Sequence, residues 1–308
     1  MIRFGLCCIF KEEPIKFRHT TASSILKLKK KERLEKLSSI SIHNARTLLN
    51  ALDYCAVNNI GSFRIMSQIL PLKTHPAIGY DIEQLPEDDK IKSLFAKAGE
   101  YAKLHNIRLT FHPDQFIVLN SPRKEVVASA IKELDYQTEV AEWVGADVIN
   151  IHVGGAYGDK REALKRLRKN LNLLPARVRE MITMENDDKL FTPSDILPLC
   201  IKEKIPFVYD LHHHRCNPDE LSAEEATDQA LYTWNREPLF HISSPIEGWN
   251  GPKPYRHHDY INIDDFPEYW ENLDITVEVE AKAKELAINK LQNELAKRKR
   301  NKKEGILV

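Results

Sequence analysis

The sequence predicts an α/β protein that folds as a single (β/α)₈ barrel, the TIM barrel. The chain has 308 residues, enough for one large barrel, and its 42% hydrophobic and 29% charged residues are typical of a globular protein with a full core. Short apolar, β-branched runs recur along it, most of them followed by a polar turn and a longer stretch with helical spacing. That alternation indicates βα units on a parallel sheet.

The predicted strands share a composition rich in Val, Ile, Leu, Phe and Tyr. They span residues 2–7, 62–66, 107–111, 148–152, 181–185, 206–210, 239–242 and 275–280. Eight strands joined by helical stretches predict a closed barrel.

The helical stretches are clearest where apolar and charged positions alternate at spacings of three and four. These stretches span residues 40–57, 90–104, 124–144 and 161–174. The pattern is weaker before the last strand, where 219–235 could hold a helix. Residues 244–265 contain Trp249, Gly251, Pro252 and Pro254 and predict a long structured loop, which in a compact domain tends to be functional.

The chain is predicted to divide into a barrel domain, residues 1–280, and a charged C-terminal helical tail, residues 281–308. The tail is rich in Lys and Arg between 297 and 303. Such segments are usually solvated or frayed, and we favour that interpretation over direct contact with nucleic acid. The basic run at 27–33 is likewise interpreted as a solvated helix face.

Charge and cysteine content restrict the class of protein further. Lys plus Arg and Asp plus Glu both number 45, so no global basic field attracts nucleic acid, and a polyanion would need a local site that bound divalent cations could supply. The five cysteines are odd in number and lack CxxC spacing, which favours reduced thiols and a cytoplasmic location. No apolar run approaches the ~18 residues that cross a bilayer, so no membrane partner is expected.

The chemistry gathers where the predicted strands end. Six strands end in, contain or are followed by a potential metal ligand: His112, His152, Glu185, Asp210, His241 and Glu280. In a TIM barrel these positions converge on the C-terminal face, where active sites of this fold lie. Any one of them alone would more often be a hydrogen-bonded structural residue. Together they would be costly to bury unpaired, so the joint pattern predicts metal binding.

Two histidine clusters lie in the neighbouring loops. They comprise His212, His213 and His214 after the sixth strand, and His257, His258 and Asp259 in the long loop. Three consecutive histidines cannot all bind one centre, and in the second cluster we favour His257 over His258.

Imidazole and carboxylate ligands without thiolates suit Mn²⁺, Zn²⁺ or Fe²⁺, and so many ligands predict more than one ion. Two ions about 3.5–4 Å apart favour phosphodiester hydrolysis. Sugar isomerisation is the rival reaction, because it also needs carboxylates and histidines around divalent ions.

Nine segments, in this order along most of the chain, resemble the UV damage endonuclease family, which is similar in turn to endonuclease IV-type barrels. The segments are FRI at 63–65, LPL at 70–72, THP at 74–76, FHPDQF at 111–116, IHVGGAYG at 151–158, ENDD at 185–188, Asp210 with His213 and Asn217-Pro218, HISS at 241–244 and EAK at 280–282.

The resemblance implies a trinuclear site. His112, His152 and Glu185 would hold one metal, Glu185, Asp210, His241 and Glu280 a second, and His213 with His257 would contribute to a third. Glu185 would bridge two metals, and Glu185, Asp210 and Glu280 are the predicted catalytic residues. The family usually uses Mn²⁺, with Zn²⁺ and Fe²⁺ as alternatives here.

The resemblance also implies a substrate and a product. The family nicks damaged double-stranded DNA immediately 5′ of a lesion and leaves a 3′-hydroxyl and a 5′-phosphate. Lesion choice depends on weakened stacking. Gln115 and Phe116 match the family's probing pair, although loop packing would explain them equally well, and Tyr157 is predicted to contact DNA. A monomer is expected.

Three positions depart from the family pattern. Leu239 stands where family members commonly carry a lysine that can be carboxylated, and Leu6 and Phe10 stand where a tyrosine and an asparagine are often found. The departures leave open a related nuclease acting on abasic DNA or RNA. A barrel that binds without turnover and a metal-dependent sugar isomerase are the other hypotheses.

Overall fold

Eight parallel strands form a closed barrel in a computed structural model that describes residues 2–303 and 305. The strands are β1 (Ile2–Cys7), β2 (Ser62–Ile65), β3 (Arg108–Phe111), β4 (Val148–His152), β5 (Ile182–Glu185), β6 (Phe207–Asp210), β7 (Leu239–Ile242) and β8 (Ile275–Val279). Each strand pairs with the next, and β8 closes the barrel against β1. The predicted fold and all eight strands are confirmed, with bounds that differ by at most one residue.

Ten α-helices connect or flank the strands over the described residues. They are α1 (Ala22–Leu26), α2 (Lys30–Val57), α3 (Asp88–Leu104), α4 (Lys124–Val144), α5 (Lys160–Leu171), α6 (Ala176–Met181), α7 (Pro193–Glu203), α8 (Leu211–Cys216), α9 (Ala223–Tyr232) and α10 (Glu285–Lys303). The four clearest predicted helices and the weaker one at 219–235 are all present. Among them, no helix is long and apolar enough to cross a membrane.

The long loop after β7 is confirmed and is held together by one buried carboxylate. Asp265 accepts hydrogen bonds from the Ser244 hydroxyl at 2.5 Å and the Trp249 indole N–H at 2.7 Å, and it forms an ion pair with Arg215 at 3.1 Å. An isolated antiparallel bridge joins Pro245 to His257. These contacts order the loop around His257, the histidine that the sequence analysis favoured as a ligand.

Helix α10 covers the barrel beside β1 and the turn at 263–265. Its apolar side buries Ile288, Leu291 and Leu295, and Arg298 forms an ion pair with Glu271 at 3.0 Å. Over these residues the segment is packed, so the expectation of a solvated or frayed helix is wrong for its apolar side. The division at residue 280 stays a prediction, and residues 304 and 306–308 of the predicted tail lie outside the described residues.

A small apolar layer lies in the barrel below the strand ends. Val148, Val208 and Leu239 form a buried cluster separate from the main core, with Trp234 packed against it. Each of the three precedes a polar or charged residue two positions later, and residues two apart on a strand face the same side. On these three strands the interior is therefore apolar below and polar above, and Leu239 belongs to the apolar part, beside the buried Thr276 hydroxyl of β8.

Candidate metal centre

Glu185 is the centre of the cluster at the carboxyl ends of the strands. Its buried carboxylate places Oε2 2.9 Å from His112 Nε2, and Oε1 3.1 Å from His241 Nδ1 and 3.3 Å from His213 Nδ1. The side-chain amide of Asn150, which lies on β4 two residues before His152, donates to Glu185 Oε2 at 2.5 Å. Both oxygens of one buried carboxylate thus face imidazole nitrogens from three separate parts of the chain.

Asp210 ends β6 and also begins helix α8. Its Oδ1 accepts the backbone N–H of His213 at 2.7 Å, an N-cap bond that starts the helix. Asn186 fixes the same strand end, because its amide bonds both the backbone carbonyl and the N–H of Asp210. Periodicity could not predict this short helix of consecutive histidines, yet it directs His213 towards Glu185.

His241 and Glu280 form the opposite side of the cluster. His241 Nδ1 lies 3.6 Å from Glu280 Oε1, while its Nε2 lies 3.1 Å from Glu278 Oε2. Arg64 donates to Glu278 Oε2 at 2.5 Å and to Glu280 Oε1 at 2.6 Å. One guanidinium therefore compensates the buried Glu278 carboxylate and the partly buried Glu280 carboxylate of the cluster.

The arrangement fits divalent cations. Two buried atoms of the cluster, His152 Nδ1 and Asp210 Oδ2, have no hydrogen-bond partner, which is costly unless another ligand satisfies them. Three groups of side chains could each hold an ion. Within each group every residue offers one ligand atom, and these atoms all lie within 4.8 Å of one another. The groups are His112 with His152 and Glu185, His112 with His241 and Glu280, and Glu185 with Asp210 and His213.

The histidines of the two loop clusters take different positions. His257 lies near the site, with Nδ1 3.8 Å from Glu280 Oε2, but outside the three groups. His258 instead accepts the backbone N–H of Tyr260 within its own loop at 2.9 Å. His214 is bonded to Asp219 at 2.9 Å. His212 is buried against the His257 ring, with neither nitrogen hydrogen-bonded.

Charge and burial shift the pKa values of the cluster in opposite directions. Burial opposes ionisation of Glu185, but the imidazoles of His241 and His152 outweigh it and hold the pKa of Glu185 well below its usual range. Burial also opposes the protonation of His241, yet the Glu185 carboxylate raises its pKa to about 10. His213 likewise has a pKa well above its usual value because Asp210 and Glu185 outweigh burial. Burial lowers the pKa of His152 to about 4.

We expect metal binding to release protons and to strengthen as pH rises. In the metal-free protein His241 remains protonated below pH about 10, and His213 has a raised pKa as well, so an ion must displace a proton from each before binding a neutral nitrogen. Apparent affinity should rise about tenfold per pH unit for each proton released. Calorimetric Mn²⁺ titrations at pH 7 and 8, in buffers of different ionisation enthalpy, would count these protons. Binding heats that do not depend on the buffer would contradict this expectation.

Three residues of the cluster were not assigned a role from sequence. Arg64 and Glu278 lie inside strands rather than at their ends, and Asn150 is an uncharged polar residue within an apolar strand. For Glu278 the sequence does carry a signal. Thr276, Glu278 and Glu280 alternate along and just after β8, so Glu278 faces the same side as the predicted ligand Glu280.

The predicted DNA-contacting residues lie on loops at the same face. Gln115 and Phe116 follow β3, and the Phe116 side chain is 74% exposed, so the ring is not packed within its loop. Tyr157 follows β4, is half exposed, and has the Arg166 guanidinium 5.5 Å from its ring centre.

The two departures in the first segment are apolar side chains that belong to the core or pack against it. Leu6 is fully buried, and Phe10 packs edge-on against Tyr54 with ring centres 5.2 Å apart. Phe10 also stacks on Phe63 at 6.2 Å. Neither side chain offers a polar group at the metal face.

Several known proteins are similar to this chain. The UV DNA damage endonucleases of Bacillus cereus (strain G9842) and Bacillus thuringiensis subsp. konkukian (strain 97-27) are each 36% identical over 288 residues, which cover 90% of this chain and 88% of theirs. The crystal structure of SacUVDE aligns with a TM-score of 0.85 at 31% identity and covers 96% of this chain and 99% of that chain.

More distant structures share the fold alone. Endonuclease IV from Thermus thermophilus aligns with a TM-score of 0.61 at 13% identity, over 96% of this chain and 99% of that one. A D-tagatose 3-epimerase-like protein aligns with a TM-score of 0.57 at 16% identity, over 83% and 94% of the two chains. The family described as UV-endonuclease UvdE matches residues 2–306. This match and the curated relatives show that the chain belongs to the UV-endonuclease UvdE family.

Proposed function

We propose that this protein is a metal-dependent DNA repair endonuclease that nicks the phosphodiester immediately 5′ of UV photoproducts or other distorting lesions. The products would be a 3′-hydroxyl and a 5′-phosphate. The observation that carries the proposal is the buried Glu185 carboxylate, whose two oxygens face three imidazoles in a chain of the UV-endonuclease UvdE family.

We assign the metal ligands as follows. Up to three divalent ions, Mn²⁺ before Zn²⁺ or Fe²⁺, would be held by the imidazoles and carboxylates around Glu185. The proposed ligands are His112, His152, Glu185, Asp210, His213, His241, His257 and Glu280. Bound divalent cations supply Lewis acidity, which favours attack of water on the phosphodiester and stabilises the departing oxygen.

A cavity beside Glu280 supports a polyanionic substrate despite the zero net charge of the chain. It has a volume of about 520 Å³ and is lined by Arg64, Arg256, His257, Lys282 and Lys284, among others. The Arg256, Lys282 and Lys284 cations face the same mouth as the proposed ligands, so a backbone phosphate of double-stranded DNA could be bound locally. A cytoplasmic location and a monomeric state remain predictions.

The proposal is tested by nicking of supercoiled plasmid in the presence of Mn²⁺, with and without UV irradiation. Nicking that depends on irradiation supports it, and chelation should abolish the activity. Equal nicking of both plasmids would refute the lesion part. Plasmid with abasic sites and an undamaged RNA should be included, because the buried Leu6 and the packed Phe10 favour an altered substrate range.

Replacement of Phe116 by alanine is expected to weaken binding to damaged DNA by about 1–3 kcal/mol, the usual contribution of an aromatic side chain that stacks on bases. The exposed ring makes little contribution to the fold, so thermal unfolding should not change. Fluorescence anisotropy with a lesion-containing duplex measures the effect.

The control for Phe116→Ala is Tyr232→Ala, an 80% exposed aromatic at the end of α9, which leads towards the amino end of β7 and so lies at the opposite face of the barrel. It should bind as the unaltered protein does. If Phe116→Ala binds damaged DNA as tightly as the unaltered protein, Phe116 does not stack on DNA. If both variants lose the same affinity relative to the unaltered protein, the effect is nonspecific.

A further inference from the structure

We infer that Glu278 is a positioning residue that orients His241 so that its Nδ1, and not the more distant Nε2, faces the metal centre. The inference rests on the proposed function, because it assigns a role towards the same metals. Glu278 lies inside β8, two residues before the predicted ligand Glu280, and its side chain is 1% exposed.

The first argument is the orientation of the ring. His241 Nδ1 points into the cluster, 3.1 Å from Glu185 Oε1 and 3.6 Å from Glu280 Oε1. Its Nε2 points away and lies 3.1 Å from Glu278 Oε2. An imidazole that donates Nε2–H to a carboxylate has its lone pair on Nδ1, so the bond to Glu278 selects the tautomer that a metal needs. Arg64 Nη2 lies 2.9 Å from the same Nε2 and would favour the opposite tautomer, so Glu278 is the acceptor that keeps the proton there.

The second argument is a contrast with the imidazole of His112. His112 has its Nδ1 3.1 Å from the Pro113 carbonyl, while its Nε2 faces Glu185 at 2.9 Å. For His112 the backbone therefore fixes which nitrogen carries a proton. His241 is fixed by a side chain instead, so its orientation can be altered by a single substitution.

The third argument is that the fold holds Glu278 rigidly. Arg64 donates to Oε2 at 2.5 Å, and the Thr110 hydroxyl donates to Oε1. In register, Glu278 lies between Gly5 of β1 and His241 of β7. A Cβ at Gly5 would lie 2.8 Å from Glu278 Cγ, so the glycine leaves the space that this side chain occupies. Both oxygens of the Glu278 carboxylate have partners, so the side chain is held in one orientation towards His241.

The test is metal affinity, which is measured without DNA. Glu278→Gln keeps the shape of the side chain but removes its charge, and Mn²⁺ binding should weaken about 10–100-fold, as expected when a carboxylate behind a histidine ligand is lost. Calorimetry gives the affinity and the stoichiometry. In the Zn²⁺-loaded proteins, the ¹⁵N shifts of His241 should report metal on Nδ1 in the unaltered chain and a loss or mixture of that signal in the variant.

The matched control is Glu237→Gln. Glu237 also pairs with an arginine, Arg3 at 2.8 Å, and also accepts from a threonine hydroxyl, that of Thr276, but it lies at the opposite end of the barrel. This variant should bind Mn²⁺ with unchanged affinity. If Glu278→Gln does not fold, Thr110→Val keeps the charge and loosens the carboxylate, and a smaller weakening is expected.

The outcomes separate the two proposals. Unaltered protein that binds no Mn²⁺ would refute the metal-dependent function itself. A different result would refute only the role of Glu278. In that case the unaltered protein binds Mn²⁺, and Glu278→Gln binds it equally well. Thr110→Val takes the place of Glu278→Gln if that variant does not fold. An equal loss in Glu237→Gln would also refute the role of Glu278, since the effect would then be one of general stability.

Discussion

Replacement of Glu185 by glutamine is expected to abolish incision and to remove most of the metal binding. The carboxylate faces His112, His213 and His241 within 3.3 Å, so an amide leaves those groups without their shared anionic partner. The loss of incision rate should exceed the about 10–100-fold that follows removal of a group behind a ligand. Plasmid nicking and Mn²⁺ calorimetry measure the two effects together.

Glu180→Gln provides the control for this prediction. Glu180 is exposed near the end of α6, and the same chemical change there should alter neither nicking nor metal content. Far-ultraviolet circular dichroism must show that Glu185→Gln is folded. A folded Glu185→Gln protein that nicks damaged plasmid at the unaltered rate would exclude Glu185 from the reaction.

Replacement of Arg64 by leucine is expected to give the largest loss of stability, about 3–5 kcal/mol in the free energy of unfolding of the metal-free protein. The guanidinium is almost fully buried and pairs with both Glu278 and Glu280. Its loss leaves the buried Glu278 and the partly buried Glu280 with the protonated His241 as their remaining nearby cation. Chemical denaturation in the absence of metal measures the difference.

Mn²⁺ should restore part of the stability lost in Arg64→Leu, because bound cations supply positive charge next to the same carboxylates. Arg123→Leu is the control, since that side chain is exposed and should change stability by no more than about 0.5 kcal/mol. A metal-free Arg64→Leu protein as stable as the unaltered chain would show that the carboxylates are accommodated in another way.

The fold and the proposed ligands could be predicted because both leave regular marks in the sequence. Apolar runs mark the strands, and the residues at their ends, such as His152 and Glu185, must converge once the strands are parallel. Helix α8 left no periodic mark, since an N-cap bond to Asp210 and not an apolar face starts it.

The supporting residues were harder to recognise for a physical reason. Glu278 and Arg64 lie within strands, and the alternation of a strand does not restrict which residue faces inward. The two residues are 214 positions apart in sequence, and only the closure of the barrel brings Arg64 Nε within 2.5 Å of Glu278 Oε2. The packing of α10 was likewise hidden, because its apolar residues are few among many charges.

The apolar layer of Val148, Val208 and Leu239 lies beneath the proposed centre and borders it on the side away from the strand ends. If the centre works as proposed, ions, water and a DNA strand should arrive from the carboxyl face, because the strand ends that carry the proposed ligands lie there. A duplex that covers that face would then also close the path for ion exchange. The order of addition should therefore affect the activity, and a chelator added after DNA should act more slowly than one added before it.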